Sequence, residues 1–129
     1  MDEIDKIKIL LVEDEAVIAL FEKKQLEKIG YKVHHVSSGT DAINSALNDH
    51  HDLILMDIVL PNKSGVQATK EILDLAPHIK VIACSTLDQE SLMMKAMEAG
   101  AVEFIRKPFD SREVVQIINR IFEKIPGVG

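Results

Sequence analysis

Apolar positions in this chain come in short dense blocks, separated by longer stretches of helical spacing. Residues 7–12 (Ile-Lys-Ile-Leu-Leu-Val), 53–57 (Leu-Ile-Leu-Met-Asp) and 80–85 (Lys-Val-Ile-Ala-Cys-Ser) are nearly continuous in branched apolar side chains. Short runs of this kind, bounded by turn residues, predict strands buried on both faces, as in a parallel sheet. Residues 102–105 make a fourth strand. Residues 31–36 make a fifth, whose Lys32, His34 and His35 mark it as an edge. Between them, apolar spacing near 3.6 predicts helices over about 15–29, 39–49, 65–75, 88–99 and 110–124. Strict alternation of the two kinds of element argues for an α/β fold, a parallel sheet covered by helices on both faces.

The punctuation agrees. Gly30 and Gly100 follow helices, where a C-terminal stop belongs. Ser38 with Asp41, and Asp110 with Glu113, stand where helix N-caps and their companion acids belong. Pro61-Asn62-Lys63-Ser64-Gly65 reads as a turn. No repeat, low-complexity tract or linker interrupts the pattern. The expected organisation is one domain over residues 1–129, with a core of about 6–124 and a tail at 126–129.

Composition narrows the function. The chain has 129 residues, of which 47% are apolar and 28% charged, as in ordinary soluble domains. A net charge of −6 disfavours direct nucleic-acid binding, which leans on clustered Lys and Arg. No apolar run approaches the ~20 residues that span a bilayer. The N-terminus lacks a signal-peptide pattern. The lone Cys84 sits in an apolar strand and reads as a small buried hydrophobe. These features point to the cytoplasm, without membrane insertion.

The candidate chemistry lies at the strand ends. The first strand runs into Glu13, Asp14 and Glu15; the third ends at Asp57; the fourth at Ser85-Thr86; the last runs into Lys107-Pro108. In an open parallel sheet, the C-terminal edge is where ligands bind. Crowded carboxylates repel unless a hard cation joins them, and Mg²⁺ takes oxygen ligands with only one or two carboxylates. Asp14 and Asp57 are then the direct ligands, with Glu13 acting directly or through water. The other reading of Glu13-Asp14-Glu15 is an acid-rich helix N-terminus that suits the macrodipole. Asp57 reads either as a cap on the following turn or as a nucleophile toward phosphorus. Phosphoryl transfer needs positive charge around the equatorial oxygens; Mg²⁺ and Lys107 supply it, with the Ser85 hydroxyl and the Thr86 backbone N–H as further donors.

Taken in order, Ile-Leu-Leu-Val-Glu-Asp-Glu (9–15), Leu-Ile-Leu-Met-Asp-Ile-Val-Leu-Pro (53–61) with Gly65, Val-Ile-Ala-Cys-Ser-Thr (81–86) and Glu-Ala-Gly-Ala-Val-Glu-Phe-Ile-Arg-Lys-Pro-Phe (98–109) resemble the receiver domains of bacterial two-component signalling, the CheY-like family. The resemblance covers about Lys6 to Lys124. It implies a doubly wound, flavodoxin-like sheet of five strands in the order 2-1-3-4-5. It implies Asp57 as the phosphoacceptor, charged by a sensor histidine kinase or phosphotransfer protein. Glu13, Asp14, Asp57 and the Val59 backbone carbonyl would hold Mg²⁺, and Lys107 would contact the phosphoryl group. Ser85 and Phe104 would form the switch, and the Lys107–Pro108 peptide would be cis. The output would be docking to a downstream protein, as a monomer or a phosphorylation-dependent dimer. Such a domain promotes its own phosphorylation and turns over no external substrate.

Three departures from the family pattern stand out: Glu13-Asp14 where Asp-Asp is commoner, Thr86 where Ala or Gly is commoner, and Pro-Asn-Lys-Ser-Gly after Asp57. Val59 and Leu87 lie two residues beyond Asp57 and Ser85, and neither can orient an attacking water. Met93 and Met97, one turn apart, read either as a docking face with Phe104 or as core filler. Phe104 has the alternative of a fixed core aromatic. His34-His35 and His50-His51 are expected to be surface polar residues. Within the family the chain most resembles single-domain chemotaxis-type regulators, particularly at Cys84-Ser85-Thr86 and Phe104; the alternative is a receiver fragment of a larger DNA-binding regulator or hybrid kinase. A flavodoxin-type carrier fits poorly, because the acids at 13–15 would repel a flavin phosphate. An aspartyl-phosphate hydrolase resembles Asp-x-Asp, and Asp57-Ile58-Val59 lacks the second acid.

Overall fold

A computed structural model of the chain describes residues 7–86 and 88–122. In chain order the elements are β1 (Lys8–Val12), α1 (Ala16–Ile29), β2 (Lys32–Val36), α2 (Gly39–Asn48), β3 (Leu53–Asp57), α3 (Gly65–Leu75), β4 (Lys80–Ser85), α4 (Glu90–Glu98), β5 (Glu103–Arg106) and α5 (Ser111–Phe122). The strands form one parallel sheet in the order β2-β1-β3-β4-β5. The expected alternation, strand order and doubly wound architecture are all present. The tail at 126–129 and Leu87 lie outside the described residues, as do the last two positions expected of α5.

Alternation along each strand sorts the core into two layers. Leu10, Val12, Ile54 and Met56 face α2, α3 and α4, packing on Ala42, Ala46, Ala68, Ile72 and Ala96. Ile9, Leu11, Leu53, Leu55 and Ile82 face α1 and α5, packing on Ala19, Leu26, Val114, Ile117 and Ile118. Every residue of β3 is buried, because it has strands on both sides and helices on both faces. β2, with one neighbouring strand, alternates exposed and half-buried positions, as its polar content predicts.

Local chemistry sets the boundaries. The Ser38 and Ser64 hydroxyls accept from the backbone N–H groups of Asp41 and Gln67, capping α2 and α3. The Asp110 carboxylate accepts from the Arg112 N–H at the start of α5. α4 begins later than the apolar spacing suggests. The Thr86 N–H donates to Gln89 Oε1 at 2.9 Å and the Thr86 hydroxyl to Asp88 Oδ1 at 2.7 Å, so side chains hold a turn where the helix was expected to start. Gly65 is required by close approach: a Cβ there would collide with the Asp57 carbonyl oxygen and lie 2.6 Å from Ile58 Cα. The glycine thus lets α3 start directly against the end of β3.

Two expectations need correction. Met93 does not share a docking face with Met97. It is 4% exposed and belongs to the core layer under α4, while Met97 and Met94 are 42% and 67% exposed. Positions four apart on a helix differ by about 40°, and here that offset separates core from rim. His51 is not a surface residue; it is buried although it belongs to the loop that leads into β3.

Candidate functional site

The backbone ladders extend one residue past the strands and bring their tips together. Glu13 N–H donates to Val36 O, Ile58 N–H to Cys84 O, and Lys107 N–H to Ser85 O. These three bonds fix the ends of β1, β3 and β5 against their neighbours. Their polar residues then share one rim.

Three carboxylates meet there. Glu13, Asp14 and Asp57 each offer an oxygen, all within 4.8 Å of one another. Glu13 and Asp57 are buried and Asp14 is exposed, so the cluster is closed below and open to solvent above. The Lys107 ammonium bridges the buried pair, at 2.6 Å from Glu13 Oε1 and 3.2 Å from Asp57 Oδ2. Burial works against this cation, but the bond to Glu13 and the charges of both acids outweigh it and hold the Lys107 pKa above its ordinary value. Burial pushes the Asp57 carboxyl up to about 6, while the Val59 N–H bond at 3.1 Å and the Lys107 charge pull it down. The donor set fits a small hard cation: oxygen ligands only, one exposed edge for water, and excess negative charge.

The remaining sequence candidates fall as follows. Val59 is 46% exposed and lines, with Asp14, Asp57, Thr86 and Lys107, a pocket of about 240 Å³ over the acids. Ser85 is fully buried, its hydroxyl donating to the Thr86 carbonyl at a long 3.3 Å. The Thr86 N–H is taken by Gln89 within its own loop. The Lys107–Pro108 peptide is cis. Phe104 faces outward at 37% exposure and is not a fixed core aromatic in this state.

The sequence reading missed three features around this rim. Glu22, on α1, is buried, and among the described residues no hydrogen bond or ion pair reaches it. Burial and the nearby Glu13 charge raise its pKa to about 7. Glu22 lines a largely apolar groove of about 510 Å³ together with Val17, Ile18, Phe21, Pro108 and Phe109, and Lys107 is also in the lining. His35 bonds the Glu13 backbone carbonyl through Nε2 at 2.8 Å, tying the acidic turn to β2. Val17 and Phe21 are 81% and 62% exposed. The helical period of α1 did contain a signal: apolar residues at 17, 18, 20 and 21 exceed what one buried face needs.

A five-stranded doubly wound sheet with an acidic rim and an opposing lysine defines a class of phosphoryl-handling signalling domains. The family model for the response regulator receiver domain matches residues 9–119, and the chain belongs to that family. The chemotaxis protein CheY of Thermotoga maritima is 34% identical over 88% of this chain and 96% of its own. CheY of Bacillus subtilis is 35% identical, covering 88% and 95%. The transcriptional regulatory protein ResD of B. subtilis is 31% identical over 96% of this chain, but this chain spans only 51% of it. Among solved structures, the receiver domain of sensor histidine kinase PA1611 from Pseudomonas aeruginosa superposes with a TM-score of 0.82 at 33% identity, covering 88% of this chain and 95% of that one. That domain holds a magnesium ion in its active-site cleft. Among the described residues here, no helix is long and apolar enough to cross a membrane.

Proposed function

We propose that Asp57 is the phosphoacceptor of this receiver domain and that Glu13, Asp14, Asp57 and the Val59 backbone carbonyl hold Mg²⁺ beside it. The carrying observation is the bridge from Lys107 to both Glu13 and Asp57 above a solvent-open acidic cluster. A carboxylate oxygen of Asp57 attacks phosphorus on a phosphohistidine; the O–P bond forms, the P–N bond breaks, and the imidazole nitrogen leaves with the electron pair. Mg²⁺, when bound, neutralises charge on the transferring oxygens. The ammonium of Lys107 swings from Asp57 to the new phosphoryl group, and Ser85 donates to another of its oxygens.

The donor is a sensor histidine kinase or phosphotransfer protein, and the apolar groove beside α1, with Lys107 in its lining, suits a protein donor more than a small one. The output is a change on the face formed by α4, β5 and α5, where Met97 and Phe104 are exposed. Docking of a downstream protein to that face is the output we favour. Stand-alone chemotaxis proteins that align over nearly their full length support it.

The test is incubation with acetyl phosphate and Mg²⁺, followed by intact-mass measurement. The chain should gain the mass of one phosphoryl group, Asp57→Ala should gain none, and chelation of the metal should abolish labelling of the unaltered chain. Equal labelling of Asp57→Ala would place the acceptor elsewhere.

A further inference from the structure

The opposite edge of the sheet, where the strands begin, carries a second cluster that the phosphoryl chemistry does not use. At its centre is His51, 6% exposed. Ser45 Oγ lies 3.1 Å from Asp49 Oδ2 and 3.1 Å from His51 Nε2. An ionised carboxylate only accepts, so the single hydroxyl hydrogen of Ser45 goes to Asp49. Ser45 Oγ must then accept from His51, which places the imidazole hydrogen on Nε2. His51 Nδ1 is left as a bare lone pair, and it is buried without a partner.

An unsatisfied buried acceptor destabilises the fold until something pairs with it. What satisfies it is a hydrogen-bond donor or a Lewis acid; an anion is neither. The neighbouring ring belongs to His34 on β2, with centroids 5.8 Å apart and planes at 62°. At metal–nitrogen distances of ~2.0–2.1 Å, two imidazoles on one tetrahedral ion place their centroids roughly 5–5.5 Å apart. His34 is exposed and free to close that difference. Both histidines line a small pocket of about 140 Å³ with Lys8, Ile9, Lys32 and Val33, at the paired starts of β1 and β2.

We propose that His34 and His51 form a two-imidazole site for a borderline transition-metal ion, such as Cu²⁺, Ni²⁺ or Zn²⁺, with water completing the coordination. His51 Nδ1 is the fixed ligand and His34 the mobile one. The Asp49–Ser45–His51 chain is the outer support that commonly orients a metal-binding imidazole and fixes its tautomer. Burial, with the neighbouring His34, keeps the His51 pKa below its ordinary value, so the ring stays neutral and able to ligate near pH 7. Lys8 and Lys32 also line the pocket and oppose a cation, but both are exposed, where water screens their charge. Mg²⁺ prefers oxygen donors, so the acidic rim and this site select different ions.

The test is a Cu²⁺ titration of the full chain in excess Mg²⁺, following the ring signals of its five histidines by NMR. The signals of His34 and His51 should broaden first, while those of His35, His50 and His78 persist. His34→Gln, at an exposed position, should remove the selective broadening at His51 and weaken binding at least about tenfold, since outer-shell losses alone cost about 10- to 100-fold. Ser45→Ala should weaken binding within that same range while keeping both ligands. Even broadening of all five histidines, broadening centred on His35 or His50, or unchanged affinity in folded His34→Gln would overturn the proposal.

Discussion

Lys107 sits closer to Glu13 than to Asp57, at 2.6 Å against 3.2 Å. The ammonium therefore neutralises the deeper acid of the cluster as well as the proposed acceptor. Removing one partner of a buried ion pair costs about 3–5 kcal/mol, because the other charge is left uncompensated. Lys107→Met should accordingly lower stability by about 3 kcal/mol in metal-free buffer. Mg²⁺ should restore most of that loss, since it brings positive charge to the same carboxylates. Urea unfolding with and without Mg²⁺ reads both effects. Failure of Mg²⁺ to stabilise either protein would show that the acids do not hold the ion.

Glu22 gives the fold a pH dependence of its own. In the unfolded chain it releases its proton near 4.5, and in the folded chain near 7. Between those values the folded chain binds more protons than the unfolded one, so stability falls as pH rises through that window. The contribution is fully present below the lower value and lost above the higher. At 1.36 kcal/mol per pH unit, the loss amounts to about 3 kcal/mol at most. Glu22→Gln should flatten the stability profile between about pH 5 and about pH 8, and should be the more stable protein at the alkaline end. Urea midpoints across that range check it; parallel profiles for the two proteins would remove Glu22 as the cause.

The switch proposal also has a direct readout. Ser85 holds its hydroxyl on the Thr86 carbonyl at 3.3 Å, well beyond the ~2.7–2.8 Å usual for an O–H···O bond, so little is lost when it turns to a phosphoryl oxygen. Phe104 lies one strand away, with Ala83 as its register partner on β4. The chain has no tryptophan, so Phe104→Trp is a unique fluorophore. Beryllofluoride with Mg²⁺, mimicking the phosphoryl group, should shift its emission to the blue as the ring moves inward. Adding Ser85→Ala should abolish that shift. An unchanged spectrum in the Ser85-containing protein would mean that Phe104 does not move.

Much of this was legible before any coordinates, for identifiable reasons. β3 and β4 announce themselves because strands buried on both faces must be apolar at nearly every position, and α3 because the turn at Pro61–Gly65 sets its helical spacing apart from β3. Asp14, Asp57 and Lys107 were visible because each ends or follows an apolar block that reads as a strand. Packing relations were less legible. A methionine at helical spacing does not declare whether it faces core or rim, and Met93 went inward. Adjacent histidines read as polar surface until Ser45 on α2, itself bonded to Asp49, supplies the partner that lets His51 be buried. Glu22 resembled any polar position of a surface helix, because its burial depends on α5 and the loop before it. The start of α4 moved because Gln89 and Asp88 side chains compete with helical bonding, an effect weaker than hydrophobic period and easily missed.

Val59 bears on how long a phosphoryl group would last. Hydrolysis of an acyl phosphate needs a water placed in line behind phosphorus, and a side chain that orients it speeds the step. Val59 is half exposed and borders the pocket over Asp57, so it stands beside that path. Its two methyl groups can neither accept a proton from water nor hold one by hydrogen bonding. The phosphorylated chain should therefore lose its label slowly, over minutes rather than seconds. Val59→Asn places an amide at the same spot and should accelerate loss by about tenfold, less than the roughly 100-fold or more of a true general acid or base, because an amide orients water without taking its proton. Phosphate release in Mg²⁺ after removal of the phosphodonor measures both proteins. Loss within seconds from the unaltered chain would mean that another group orients the water. Equal rates in the two proteins would mean that the water approaches from a side that residue 59 does not border.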